Sequence, residues 1–305
     1  MDLRRIRYFT VLAETLNFSR AAERLHIAQP ALSVSIQKLE AELGTKLFDR
    51  TPTGVQLTVS GEAVLLDARR LLHHGERIKR TAGGLVQGTK GLLRIGFVGS
   101  AVYRLLPALV PRFRALYPEI DLELREATSV RIIEMLAEGS LDVGIVRTPL
   151  LGQLSGARLS PLQRDRFVVA APREHWLGQR ASVSMRELAN EKFVMYSSSE
   201  AAGLRAAALA ACQAAGFLPE VAQVAIQIPT VLALVASGLG IALVPDVMSL
   251  HRQEDLAYVE IDDLSEAGHN SLSLAYRDGS EGAVARSFID FACEHCGPLG
   301  MPGKD

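Results

Sequence analysis

The stretch from Ser19 to Arg50, SRAAERLHIAQPALSVSIQKLEAELGTKLFDR, constrains the fold of this chain more than any other part of it. It holds two short helical patterns separated by a tight turn, the second apolar on one side and polar on the other. Ser19 is placed to cap the first helix, and Ala21, Ala22 and Leu25 leave room for a neighbouring helix. His26, Ile27 and Ala28 make the turn. Pro30 fits the first turn of the next helix, where its missing N–H costs nothing. At about 100° per residue, Leu32, Ile36 and Leu39 fall within roughly 60° of one another and form a stripe to bury. Pro30, Ser33, Val34, Gln37 and Lys38 lie opposite. That face is either simply solvated or it reads DNA. Ser and Gln can hydrogen-bond base edges, Val can meet a thymine methyl, and Lys can neutralise a phosphate. A helix pair of this form presents its second helix to the major groove.

The next segment favours the DNA reading. Arg50-Thr-Pro-Thr-Gly54-Val-Gln-Leu-Thr58 has the pattern of two short strands around a turn, a wing whose Arg50 and Thr53 can reach the DNA backbone or minor groove. Residues 2–61 resemble the winged helix-turn-helix of the LysR-type transcriptional regulators, through LRRIRYFTVLAETLNFSRAAERLHIAQPALS, LEAELGTKLFDR and LTVSGEAVL. Many members of that family carry an arginine where this chain has Val34. Valine cannot make the bidentate arginine–guanine contact, so base reading is expected to rest on Gln29, Ser33 and Gln37.

The net charge of −1 conceals an asymmetry: residues 1–90 carry 14 basic against 9 acidic side chains, the remainder 19 against 25. A basic front and an acidic back fit DNA binding confined to the first part. No apolar run reaches the roughly 18 residues of a membrane span, and MDLRRIRYF lacks the apolar core of a signal peptide. A cytoplasmic protein without a membrane partner is the expectation. Of the three cysteines, Cys293 and Cys296 resemble half a zinc site, but no second ligand pair stands at suitable spacing. No metal and no cofactor are expected.

From Ser60 to about Leu85, Val64, Ala68, Leu71, Gly75, Ile78, Ala82 and Leu85 recur at spacings of four and three, broadened by Leu65 and Leu72. Such a seam either packs on its own domain or joins two chains. The position between domains favours a dimer through Val64, Ala68, Leu71, Leu72 and Ile78, in agreement with the linker helix of the LysR type. Gly83-Gly84 and Gly88-Thr-Lys-Gly91 are read as a hinge.

From Leu92 the pattern alternates strands and helices. Strands are expected at 93–98, 120–125 and 141–146 with helices at 103–116 and 130–138, a unit that winds into a largely parallel sheet. A second unit is expected from strand 167–171, followed by helix 185–190, strand 193–196, helix 204–215, strand 220–224, helix 230–237 and strand 241–244. Strand 271–276 and helix 283–293 return to the first. The fold class is α/β, with an N-terminal winged helix-turn-helix, a long linker helix and a two-lobed, periplasmic-binding-protein-like effector domain. The boundaries are 1–59 for the head, 60–91 for linker and hinge, and 92–297 for the effector domain, with 298–305 a tail. The first lobe takes 92–163 and 266–297, the second 164–265. RIGFVGS, LLPALVPRFRALYPEIDLELRE, EMLAEGSLDVGIVR and LVASGLGIALVPDV are similar to the LysR-type effector domain.

In such a fold ligands bind beyond the carboxyl ends of the strands. Gly99-Ser100-Ala101 offers amides, Thr128 and Ser129 open a helix, Ser198 and Ser199 precede another, and Arg147 can pair with a carboxylate. IGFVGS and FVMYSSS are similar to regulators of aromatic-compound catabolism that respond to benzoate or muconate. That resemblance implies effector contacts at Ser100, Thr128, Ser198 and Ser199, with Ile228 counted among them, and a secondary aromatic-acid pocket at Arg147. The expected effector is a small aromatic or dicarboxylic acid. Glu200-Ala-Ala-Gly departs from the bulkier residues or proline of that subgroup, and an inward Glu200 would repel an acid.

The combined expectation is a ligand-switched regulator binding a double-stranded operator as a dimer or, as is common in the family, a tetramer, with RNA polymerase a further partner. An enzyme is disfavoured, because no G-x-S-x-G elbow, Walker A loop or H-E-x-x-H occurs. A solute-binding protein would need an export signal and no DNA-binding head.

Overall fold

The computed structural model describes residues 2–51, 54–82, 88–152, 154, 156–250, 253–277 and 282–296. It separates into two compact units, one holding residues through Val86 and the other nearly all of the chain from Gln87 onward. The long helix after the wing therefore goes with the N-terminal unit.

In that unit α1 (Leu3–Thr15), α2 (Phe18–Leu25) and α3 (Gln29–Leu43) pack around Phe9, Leu12, Ala21, Leu32, Leu39 and Leu47, all fully buried. The turn between α2 and α3 is tight because His26 adopts the left-handed conformation, with φ of 55°. The cap of α2 is not Ser19. Asn17 Oδ1 accepts the Ser19 and Arg20 N–H groups at 2.9 and 3.1 Å, so the helix starts one residue before Ser19. β1 (Phe48–Thr51) and β2 (Gly54–Leu57) form the antiparallel wing.

A buried carboxylate that the apolar pattern does not announce fixes the wing to α3. Glu40 Oε1 accepts the Leu47 and Phe48 N–H groups at 2.9 and 3.2 Å, and Lys46 Nζ sits 3.0 Å from Oε2. Beside the apolar stripe, α3 thus also carries a cap for the next segment.

α4 (Val59–Ala82) divides its apolar residues between two faces. Ala68 is buried against the head, and Val64, Leu65 and Leu72 pack on the same core. Gly75 comes so close to α1 that a Cβ there would meet Leu3 Cδ1 at 3.2 Å. Leu71 and Ile78 remain exposed, by 38% and 69%. Of the expected seam, then, Val64, Ala68 and Leu72 are occupied within their own domain, because α1 supplies an apolar surface beside them. Leu85, Gly83 and Gly84 lie outside the described residues. Of the glycines read as a hinge, Gly88 and Gly91 are among the described residues. The Gly88 carbonyl accepts the Ser287 hydroxyl at 3.1 Å, and Gly91 is paired within a strand.

The second unit holds two cores joined by long strands. β3 (Lys90–Phe97), β4 (Glu119–Glu126) and β5 (Val143–Thr148) pair in parallel in the order β4-β3-β5, with α5 (Leu105–Leu116) and α6 (Ser129–Glu138) between them in sequence. A 3-10 turn at Gly99–Val102 precedes α5, which begins two residues later than the periodicity suggests. β6 is the principal departure from expectation, a 16-residue strand from Ala157 to Pro172 rather than five residues from Phe167. Its first half, RLSPLQRDR, looks like a loop because of Pro161 and its charges. A β-bulge lies opposite Leu272 and Ser273 and admits the proline.

β7 (Ser182–Val183), β8 (Lys192–Tyr196), α7 (Ala202–Ala214), β9 (Glu220–Ala225), α8 (Ile228–Ala236), β10 (Ala242–Pro245) and β11 (Leu256–Ile261) come next, and β12 (His269–Arg277) leads to α9 (Ala283–His295). β11 was not expected, and Met185–Leu188 is a 3-10 turn rather than a helix. The first half of β6 pairs with β12, the second with β10 and β11. One strand thus passes from a core around Leu93, Ile145, Phe113 and Phe288 into a core around Phe167, Phe193, Val231 and Val244.

Candidate functional site

On the head, burial follows the angles of α3. Leu32, Ile36 and Leu39 are at most 3% exposed, while Gln29, Pro30, Val34, Gln37 and Lys38 face solvent and Ser33 is half-buried. The helix therefore offers amides, a hydroxyl, an apolar Val34 and one cation on a continuous face, the inventory for base edges and phosphates. Arg50 has its backbone in β1; its side chain and all of Thr53 lie outside the described residues.

In the second unit a cleft of about 590 Å³, much of it continuous with solvent, opens where the parallel strands end. Its lining comes from the segments after β3 (Val98, Gly99, Ser100), β4 (Ala127 to Val130), β5 (Pro149 to Leu151) and β9 (Ile226 to Ile228), and from Glu200 to Leu204 after β8. Parallel pairing points the carboxyl ends of β3, β4 and β5 one way and those of β8 and β9, a separate pair, one way, so each pairing gathers its own share of the lining. The two sides approach closely at Gly203: a Cβ there would fall 1.8 Å from the Pro149 carbonyl oxygen, so only glycine fits.

Ser100, Thr128, Arg147 and Ile228 all line the cleft. Ser198 and Ser199 do not, because the loop turns on itself: Ser197 Oγ accepts the Ser199 and Glu200 N–H groups, both at 3.3 Å, and leaves Ser198 and Ser199 exposed. Gln227 and the Pro149–Leu151 stretch were not anticipated, while Ala201 to Gly203 belong to the loop singled out beside the effector. The strand-end rule that selected Ser100 would have found Gln227, which directly follows β9 and its neighbour Ile226.

Arg147 is not the free cation expected for a ligand carboxylate. It is 5% exposed, and its Nη1 donates to Asp165 Oδ2 at 2.6 Å and to Asn270 Oδ1. Nε and Nη2 donate to Ser100 Oγ at 3.2 and 2.9 Å. Gln163 Nε2 donates to the other Asp165 oxygen at 2.7 Å. The bidentate capacity of the guanidinium is thus answered within the chain, as a buried charge requires. Burial, and then the neighbouring Asp165, raise the Asp246 carboxyl above its usual range. Tyr196, buried at the end of β8, has its phenol pushed well up by burial and donates to the Leu243 carbonyl at 2.8 Å.

Glu200 lines the cleft while remaining exposed to solvent. Its Oε2 accepts the Thr128 hydroxyl at 3.2 Å, beside the amino ends of α6 and α7. Among the described residues no group of three or more His, Cys, Asp and Glu side chains is arranged to hold a metal. No described helix is long and apolar enough to cross a membrane.

Comparison with known proteins accounts for both units. Residues 3–62 match the family described as bacterial regulatory helix-turn-helix protein, lysR family, and residues 87–297 match the LysR substrate binding domain. The HTH-type transcriptional regulator AlsR of Bacillus subtilis (strain 168) is 34% identical over 290 residues, covering 95% of this chain and 94% of that protein. The crystal structure of full-length CbnR complexed with its target DNA covers 96% of this chain and 99% of its own, at 25% identity and a TM-score of 0.76. Full-length BenM covers 96% of each chain at 30% identity and a TM-score of 0.58. The relatives are transcriptional regulators, and an α/β unit with a strand-end cleft behind a winged helix-turn-helix is what this chain folds into. The chain belongs to the LysR family of DNA-binding transcriptional regulators, with an N-terminal helix-turn-helix and a C-terminal effector-binding domain.

Proposed function

We propose that this regulator reads a dyad-symmetric operator with the exposed face of α3 and switches that reading when a small molecule enters the strand-end cleft. Gln29, Ser33 and Gln37 contact base edges, Pro30 and Val34 pack against them, and Lys38 with Arg50 and Thr53 holds the backbone. Two chains join through α4, using Leu71 and Ile78, with Val64, Ala68 and Leu72 setting the pose of the helix from inside each head. Assembly to a tetramer and contact with RNA polymerase complete the reading.

The observation that carries it is the coexistence, in one chain, of a solvated polar recognition face and a ligand-sized cleft between two cores. A ligand shifts such an assembly only through different affinities for its two arrangements. The test is an operator footprint of the full-length protein with and without saturating effector, once screening by thermal shift has found one. A ligand at 100 times its Kd adds about 2.7 kcal/mol, which such a screen detects. A changed footprint or altered bend supports the proposal; identical protection with bound effector overturns it.

A further inference from the structure

An acid entering the cleft finds its natural place taken. The amino ends of α6 and α7 meet beside Thr128, and the positive ends of helices attract an anion there. The chain's own Glu200 carboxylate occupies that position and accepts the Thr128 hydroxyl at 3.2 Å. Among the described residues Arg147 is the one cation of the lining, and it is already neutralised by Asp165 and saturated by Asn270 and Ser100. A second carboxylate stands close by: Glu126 Oε1 lies so near Gly99 that a Cβ on that glycine would come within 2.6 Å of it. Gln227 Oε1 would be 3.7 Å from the same point. Among the described residues the polar rim thus presents acceptor oxygens without an uncommitted cation.

Accepting that the cleft is the effector site, we propose that Glu200 sets the effector class: the cleft takes a small molecule that offers a hydrogen-bond donor, such as an amide, hydroxyl or ammonium group, and discriminates against carboxylates. A second carboxylate beside Glu200 would meet a like charge at the mouth of the cleft. A donor satisfies the acceptor capacity left on Glu200, and a site built to receive hydrogen bonds rejects an analogue that cannot make them.

The experiment measures binding to the full-length protein by thermal shift and calorimetry with two matched sets of probes. One is benzoate, benzamide and benzylamine; the other is butyrate, butyramide and butylamine. The wild type is expected to bind an amide or amine at least about tenfold more tightly than the acid of the same set. Glu200→Gln, which removes the charge and keeps the reach to Thr128, is expected to raise acid affinity about tenfold and weaken the amine by a similar factor. Acids bound as tightly as amides by the wild type, with no change in Glu200→Gln, overturn the inference. Failure of Glu200→Gln to bind either acid overturns it as well. The cleft reading fails separately if Ala202→Trp, which fills the lining, leaves the binding of every probe intact.

Discussion

The face of α3 and the lining of the cleft are assembled from the same kinds of side chain, and they treat them in opposite ways. On α3, Gln29, Gln37 and Lys38 point to solvent with their hydrogen-bonding capacity held for a partner outside the chain. In the cleft the strongest cation is consumed inside the chain, Arg147 by Asp165, Asn270 and Ser100. The difference follows from burial. An exposed amide waits for a ligand at no cost because water satisfies it meanwhile, whereas a buried guanidinium must be paired in the folded state. A polar residue on a surface helix is therefore direct evidence of what it can touch; one at a strand end is evidence only after its neighbours are known.

The sharpest way to break the comparison is to orphan the buried charge. Asp165→Ala leaves Arg147 without its counterion, and the second unit is expected to lose about 3–5 kcal/mol in chemical denaturation of the full chain. A loss below about 1 kcal/mol would mean that Arg147 is free to serve a ligand, erasing the contrast. The corresponding change on α3 acts on recognition alone. Val34 is 49% exposed, so Val34→Arg should leave the unfolding midpoint where it is while shifting discrimination between operator variants by about 1–3 kcal/mol toward guanine at one position. An unchanged ranking of operators would remove position 34 from the reading face. The smallest effect belongs to the cap that aims the recognition pair. Asn17→Ala should cost the head about 1 kcal/mol, while Ser19→Ala, whose side chain does not cap α2, should cost appreciably less. Equal losses would return the cap to Ser19.

Legibility in the sequence followed the range of the interaction. The stripe of Leu32, Ile36 and Leu39, the wing around Gly54 and the alternation of strands and helices all rest on residues within a few positions of one another. The cap of α2 was misplaced by two residues, since Asn17 and Ser19 are both able to accept. Most of β6 escaped because a strand interrupted by Pro161 and charges is stabilised by β12, more than 100 residues away. On α4, seven-residue spacing is shared by a helix that joins two chains and one that packs on its own head. Only the position of α1 assigns Ala68 inward and leaves Ile78 exposed.

By itself the sequence determined the head and the first strand-helix unit of the effector domain, because helical and strand periodicities and turn residues act locally and leave a local trace, and its motifs carried the resemblance to the family. Tertiary structure alone decided that Arg147 is held by partners 18 and 123 residues distant, that Ser198 and Ser199 turn away, and that Glu200 lies in the cleft. For Arg147 the partners arrive through the antiparallel pairing of β12 with β5 and β6, and the forces that hold them depend on distances in space that spacing along the chain does not encode.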